Sequence, residues 1–293
     1  MSERSGFLFC ADPLRASRPD PQFAAEAAAA RAAGGRIALV DHDALLAGDA
    51  AGAVARVARD SGPYWYRGWM IPSDRYAELE SALGARGCAL LTGAADYRRA
   101  HELPCWYEEF RELTPRSVWS AMAPGAPAPT VGEAAGLAAP LGPGPGIVKD
   151  YVKSRKHEWH EACYVPELAD RDRLAAVVSR FVELQGGFLA GGVVLRSFEP
   201  FVEGGEARVW WVDGRAVLIT AHPDTPDRAP TPELSAVREA VGRLGPRWIT
   251  TDLALREDGV WRVVEVGDGQ VSGLPAGADA EGLFTALAAA ALR

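Results

Sequence analysis

Between Ile249 and Gly273 the chain reads ITTDLALREDGVWRVVEVGDGQVSG, two largely apolar runs on either side of Asp258-Gly259. Asp-Gly between such runs is a strong short-range signal for a β-hairpin, because a type I′ turn needs φ > 0 at both central residues. A two-residue loop pairs Glu257 with Val260 and sets Asp252 directly opposite Glu265. Directly opposed Cβ atoms lie roughly 4.5–5.5 Å apart, a distance at which like charges destabilise a sheet. Leu253, Leu255, Val263, Val264 and Val266 put apolar side chains on both faces, so the hairpin is expected to be mostly buried. Two carboxylates held that close need a counter-charge. A hard divalent cation with oxygen ligands supplies one; a solvated or proton-sharing carboxylate pair is the alternative.

A second feature narrows the chemistry. The only lysines are Lys149, Lys153 and Lys156, clustered in one short segment, and every other cationic side chain is arginine. Lysine meets phosphate as a compact point charge, arginine as a planar fork, so the segment reads as one that needs an ammonium, with at least one of the three a bystander. The 293 residues, 48% of them hydrophobic, suffice for a sizeable core in one or two domains. A net charge of −8 without a long basic run does not indicate a nucleic-acid-binding surface. Cys10, Cys88, Cys105 and Cys163 lack CxxC spacing and read as reduced thiols. Phe7 to Cys10 is too short for a signal-peptide core, and no apolar run reaches about 18 residues, so a soluble cytoplasmic protein is expected.

Periodicity predicts strands at 6–9 and 36–40 around an Ala-rich helix at 22–33, the rhythm of a parallel α/β unit. Asp41, His42 and Asp43 follow the second strand and read as a loop with a helix N-cap. A helix over 50–59, a strand over 64–70, a helix N-capped by Ser73, a strand over 88–91 and a helix over 94–112 broken at Pro104 complete an N-terminal domain, 1–122. The Gly-, Ala- and Pro-rich stretch 123–146, with a short helix near 131–137, opens a second domain, 123–293. There we expect a strand at 147–152, a polar loop, a helix at 171–185, a strand at 193–198, a hairpin about Asp213-Gly214, and helices at 232–244 and 280–292.

Four signals fall in one order: a strand ending in Lys149; the run Leu195-Arg-Ser-Phe-Glu-Pro-Phe-Val-Glu-Gly-Gly-Glu-Ala-Arg208; Asp252; and Glu265 with Asp268 beyond it. In this the sequence resembles the ATP-grasp superfamily over residues 147–271. The resemblance implies an α/β (α+β) ATP-grasp fold whose two subdomains hold ATP, preceded by an N-terminal α/β domain. It also implies an enzyme: a ligase that activates a carboxylate as an acyl phosphate for attack by an amine, with amino-acid or peptide substrates. A kinase on the same scaffold and a non-catalytic nucleotide-binding protein are the alternatives, and a homodimer is an open partner reading. By the same resemblance Lys149 contacts phosphates, and Glu199, Phe201, Val202 and Arg196 line the adenine side; where the family has a loop of small residues over the triphosphate this chain has 151–161, whose Lys153, Arg155 and Lys156 are placed to clamp phosphates or an anionic substrate. Glu206 takes the ribose, Arg208 stands at the γ-phosphate or acyl phosphate, and Asp252 and Glu265 hold magnesium. Independently of family, Glu206 and Arg208 are two apart on a strand and share a face; the plain alternatives are a cross-strand ion pair for Arg208 and a surface place before Pro200 for Glu199.

The sequence departs from the family pattern at Gly267, where most members have asparagine; Asp268 or Gln270 stands in for the third metal ligand. No lysine precedes Lys149, and Arg116 is the available replacement. His157, His160 and Cys163 have the spacing of a zinc site on a helix, a polar substrate-facing loop or ordinary packing.

Overall fold

The computed structural model describes residues 6–221 and 230–292. Gly-Phe-Leu-Phe-Cys carries no charge and is wholly buried, as a strand covered on both faces requires. It begins β1 (Gly6–Asp12), which turns back as β2 (Arg15–Pro19), continues through α1 (Ala24–Ala32) and returns as β3 (Arg36–Val40). Then come α2 (His42–Leu46), α3 (Ala50–Ala53), β4 (Tyr64–Arg67), α4 (Ser73–Gly84) and α5 (Ala94–His101). β1 pairs in parallel with β3 and with β4, Gly6 standing opposite Arg36 and Tyr64, so the parallel α/β unit is present. Asp41 caps α2 through Ala44 N, the plain reading of that loop.

Several local expectations need correction. The helix at 50–59 stops at Ala53, in a stretch where Gly52, Val54 and Val57 are weak helix formers. The strand at 88–91 shrinks to one bridge between Leu90 and Tyr64. Ser73 is the first helical residue of α4 rather than its cap, a position held by Pro72. The helical break falls at Glu102, because Pro104 sits in the first turn of α6 (Leu103–Phe110), where its missing N–H is no loss.

Segments that pack together form two compact units. One draws on Met1–Ala100, Gly204–Leu253 and Glu265–Arg293, the other on His101–Glu203 and Ala254–Val264. This grouping is by packing, a different partition from the sequence division at 122/123.

The second unit contains α6, β5 (Ser117–Ala121), α7 (Val131–Ala138), β6 (Gly146–Lys149), β7 (Tyr164–Val165), α8 (Arg171–Gln185) and β8 (Gly192–Ser197). α7 starts on a capping box, Thr130 with Glu133, and α8 on Asp170. The sheet runs β5-β8-β6-β7, antiparallel throughout. Alternation sends Val148, Val193 and Leu195 into a core with Ala134 of α7 and Val177, Val178 and Phe181 of α8. Ile147, Lys149 and Arg196 therefore share the opposite face, Ile147 pairing with Arg196 across β6 and β8.

The first unit is completed by β9 (Phe201–Val212, entering it at Gly204), β10 (Arg215–Ala221), α9 (Ser235–Leu244), β11 (Trp248–Arg256, in it as far as Leu253), β12 (Trp261–Asp268, in it from Glu265) and α10 (Ala280–Ala290). The strand order is β10-β9-β11-β12. Its aromatic core joins Phe7, Phe9, Trp65, Trp210, Trp248 and Phe284, all at 0% exposure. No helix among the described residues is long and apolar enough to cross a membrane.

The two Asp-Gly turns differ. Asp213 and Gly214 both have positive φ, 48° and 74°, and Val212 faces Arg215, the type I′ hairpin expected of the dipeptide. At Asp258-Gly259 only the glycine is left-handed, φ 87°; Gly259 N donates to Arg256 O at 2.8 Å and Arg256 N to Val260 O at 2.9 Å. That is a three-residue loop, and it shifts the turn's register by one. The turn therefore does not set Asp252 directly opposite Glu265, as a two-residue loop would have done.

Candidate functional site

In the first unit, β9 and β11 are neighbours and bring Arg208 to Asp252. The contact is a bidentate fork, Nε to Oδ1 at 2.7 Å and Nη2 to Oδ2 at 2.7 Å, with Nη1 donating to Gly273 O at 3.1 Å. The side chains are 12% and 4% exposed. Burial opposes the Arg208 charge, but Asp252, and behind it Glu265 and Glu206, outweigh burial and hold the guanidinium's pKa above its ordinary value. The cation that offsets Asp252 here is thus Arg208, a cross-strand ion pair.

Asp268, at the end of β12, is fully buried; burial pushes its carboxyl up to about 7, against the opposing bond from Gln270 N at 2.9 Å. Its Oδ2 has no hydrogen-bond partner among the described residues. Gln270 is committed elsewhere: Oε1 accepts from Tyr66 N at 2.9 Å and Nε2 donates to Tyr76 OH at 3.0 Å. Both Asp252 oxygens are taken by Arg208, the Gln270 amide is spent on two tyrosines, and no three His, Cys, Asp or Glu side chains among the described residues cluster as metal ligands. As arranged, Asp252, Glu265, Asp268 and Gln270 do not fit a bound metal.

Arg67 escaped the sequence reading. At 1% exposure it forks onto Glu26, Nε to Oε2 at 2.5 Å and Nη2 to Oε1 at 2.9 Å, and Nη1 reaches Gln270 O at 3.1 Å and Ser272 O at 2.7 Å. It pins the segment after β12, the same segment whose Gly273 carbonyl accepts from Arg208. The one available signal is an arginine closing the aromatic strand Tyr64-Trp65-Tyr66.

The lysines lie in the second unit. Lys149, at the end of β6, is 6% exposed, with Nζ 3.4 Å from Val152 O; Lys153 and Lys156 are exposed. His101, also missed, is buried nearby; burial, then Lys153 and Lys149, lower its pKa to about 3, so it is neutral at ordinary pH. Arg155 pairs with Glu158 at 2.7 Å. The zinc reading finds no cluster. Residues 156–158 are a 3-10 turn and 159–163 a π-helical one, so three-residue spacing does not align the ligands, and burial pushes the Cys163 thiol up to about 11.

The expected adenine-side residues of this unit carry structural bonds. Glu199 accepts Nε and Nη2 of Arg262 at 2.9 and 3.0 Å. Arg196 donates to Ser117 Oγ at 3.0 Å and Val264 O at 2.6 Å and lies 5.8 Å from the Trp106 ring. Phe201 is half-buried and Val202 exposed. Arg116 donates to Pro140 O. A cleft of 850 Å³ in this unit is lined by Tyr107, Arg116, Trp119 and Arg262 but by neither Lys149 nor Lys153, so its size does not mark the lysine site.

Taken together, the fold is the ATP-grasp architecture. Residues 140–287 match a family described as an ATP-grasp domain, the third family of its clade, and the chain belongs to it. No curated protein sequence matches. Among solved structures, a RimK domain ATP-grasp protein from Sphaerobacter thermophilus is similar at 17% identity and TM-score 0.61, over 97% of this chain and 100% of that one. D-cycloserine synthetase DcsG is similar at 17% identity and TM-score 0.59, over 98% and 99%. The ATP-grasp ligase PsnB, solved with a minimal precursor, Mg and ADP, is similar at 16% identity and TM-score 0.57, over 98% of each chain. At these identities the likeness is one of fold.

Proposed function

We propose that the protein is an ATP-dependent ligase. A substrate carboxylate oxygen attacks the γ-phosphorus of ATP and ADP leaves. An amine then attacks the acyl carbon of the resulting acyl phosphate, losing a proton as phosphate departs, and an amide forms. The observation that carries this reading is Lys149: an ammonium almost wholly withdrawn from water at the end of β6, in a chain of the ATP-grasp family.

In this reading Lys149 and Lys153 hold the phosphates and Arg208 meets the transferred phosphoryl group or acyl phosphate. Glu206 takes the ribose hydroxyls, and Glu199, Phe201, Val202 and Arg196 frame the adenine. The protein supplies position and charge rather than a nucleophile. Amino acids or peptides are the proposed substrates, which accords with a further PsnB structure, solved with a precursor peptide, and residues 1–122 are proposed as the domain that precedes the ATP-grasp core. ATP is proposed to enter as its magnesium salt, and no step is assigned to the metal. As arranged here Asp252, Glu265 and Asp268 do not fit that metal; for Asp252 to hold it, its two bonds to Arg208 would have to open, which direct Mn²⁺ binding with and without ATP tests.

The deciding experiment measures ADP release with a panel of amino acids and peptides, with hydroxylamine added to trap an acyl phosphate as the hydroxamate. Acid-dependent ADP release with a hydroxamate of matching mass supports the ligase. A stable phosphorylated product with no hydroxamate indicates a kinase, and absence of nucleotide turnover across the panel rejects the proposal.

A further inference from the structure

Asp150 follows Lys149 directly and is 1% exposed, yet its carboxylate is held by four neutral donors. Oδ1 accepts from Val152 N at 2.7 Å and Lys153 N at 2.5 Å; Oδ2 accepts from Gln185 Nε2 at 2.6 Å and Ala190 N at 3.2 Å. The backbone closes the same turn, Asp150 N donating to Lys153 O at 2.9 Å, while Lys149 bridges Ser154. The turn is fastened from outside as well. Leu103 N donates to Tyr151 O at 2.8 Å and Tyr151 N to Ala190 O at 3.1 Å. The Tyr151 ring lies on Gly191, where a Cβ would come within 2.2 Å of it. Gln185 extends the network, its Oε1 accepting from Arg155 Nη1 at 3.3 Å.

A surface turn does not need a fully desolvated carboxylate; four well-placed donors make one tolerable and, once buried, make the turn stiff. What that stiffness fixes is the spacing of two cations. Lys149 precedes the carboxylate, Lys153 follows it by three residues, and Oδ1 bonds the Lys153 amide directly. From this geometry we infer that Asp150 is a positioning residue: it holds Lys149 and Lys153 as a preformed seat for the polyphosphate of the nucleotide. The inference rests on the reading of the lysines as phosphate contacts. Preorganisation favours ligands that use both cations at once, so it should serve ATP and not AMP.

The test compares Asp150→Asn and the milder Gln185→Met with the wild-type chain. The asparagine amide presents N–H groups where Gln185 Nε2 and Ala190 N already donate. Hydrogen exchange without nucleotide is expected to rise across residues 151–154 in Asp150→Asn. By calorimetry, ATP affinity is expected to fall about tenfold or more, the effect of one lost charge-assisted bond, with AMP affinity within about twofold of wild type. Gln185→Met, which leaves three of the four bonds in place, should move the same way by about threefold. Faster exchange with unchanged ATP affinity overturns the inference, as does an equal loss for ATP and AMP in both variants, the mark of general loosening. If the wild-type chain binds neither nucleotide, the ligase reading itself falls, and the inference with it, whatever exchange shows about the turn.

Discussion

Asp252→Asn is predicted to destabilise the protein. Two unshielded carboxylates across a hairpin would repel, and removing one charge would relieve the fold. In the structure Asp252 instead holds Arg208 through two 2.7 Å bonds, the side chains only 12% and 4% exposed. Removing one partner of a buried pair costs about 3–5 kcal/mol, because the other charge is left uncompensated. Asparagine keeps the shape and one acceptor, and Gly273 O still receives Nη1, so the lower end applies, about 3 kcal/mol. For a chain of this size each kcal/mol moves Tm by roughly 2–4 °C, so a fall of about 6–12 °C is expected. Calorimetry or urea unfolding measures it, and a double-mutant cycle with Arg208→Met isolates the pair, expected to couple by about 2 kcal/mol. An Asp252→Asn protein that melts at or above the wild-type temperature, with no coupling, would refute the ion-pair argument.

Three further outcomes follow from other parts of the fold. His101, with its pKa lowered to about 3, refuses a proton that the unfolded chain accepts below about pH 6.5, so the unfolded state binds more protons between these values and stability falls as pH falls through that window. The slope is about 1.4 kcal/mol per pH unit; His101→Gln should flatten it, and parallel wild-type and variant profiles by urea unfolding at pH 7.5 and 5.5 would count against the burial argument. Gly269→Ala would place a Cβ 2.3 Å from two ring atoms of the buried Trp248, an overpacking cost of about 1–3 kcal/mol; an unchanged urea midpoint would show that the ring can give way. Lys149→Arg keeps charge but must fit a planar fork into a site 6% exposed, so ADP release should fall about tenfold or more, whereas Lys156→Arg, on an exposed side chain, should match wild type; the reverse result would move the working lysine into the loop.

Some of this was legible in the residues alone. The α8 helix, Arg171–Gln185, was readable to the residue because Asp170 caps it and Gly186 ends it. The Asp213-Gly214 turn followed its local chemistry. The identical dipeptide at Asp258-Gly259 did not, because distant groups share in choosing its loop: Glu257 N donates to Pro200 O at 3.1 Å, and Arg256 pairs with both Asp258 and Glu199. The Lys149 strand was readable from its apolar run, but the expected span 147–152 overran its end, since β6 stops at Lys149 where the Asp150 turn begins. The Arg208–Asp252 fork was visible only as one of two readings of Arg208, since choosing it requires knowing that β9 and β11 are neighbours. Arg67 with Glu26, and Asp150 with Gln185, are buried charges satisfied across 41 and 35 residues of chain, and no local pattern announces such partners.

The aromatic core of the first unit also dictates a timetable. Phe7 and Phe9 of β1 meet Phe284, with ring centroids 5.3 and 6.1 Å apart, and Trp65 donates to Leu287 O across 222 residues of chain. At roughly 5–20 residues per second, a ribosome needs on the order of 10–45 s to travel from that tryptophan to its acceptor. During that interval the nascent β1 strand and its aromatic face have no α10 to cover them, while the α7–α8 core, whose buried residues lie between Ala134 and Leu195, is fully synthesised before α10 is. β1 is made long before the α10 that covers it, so chaperone dependence during synthesis should track residues 7–9 and 65 rather than the lysine segment.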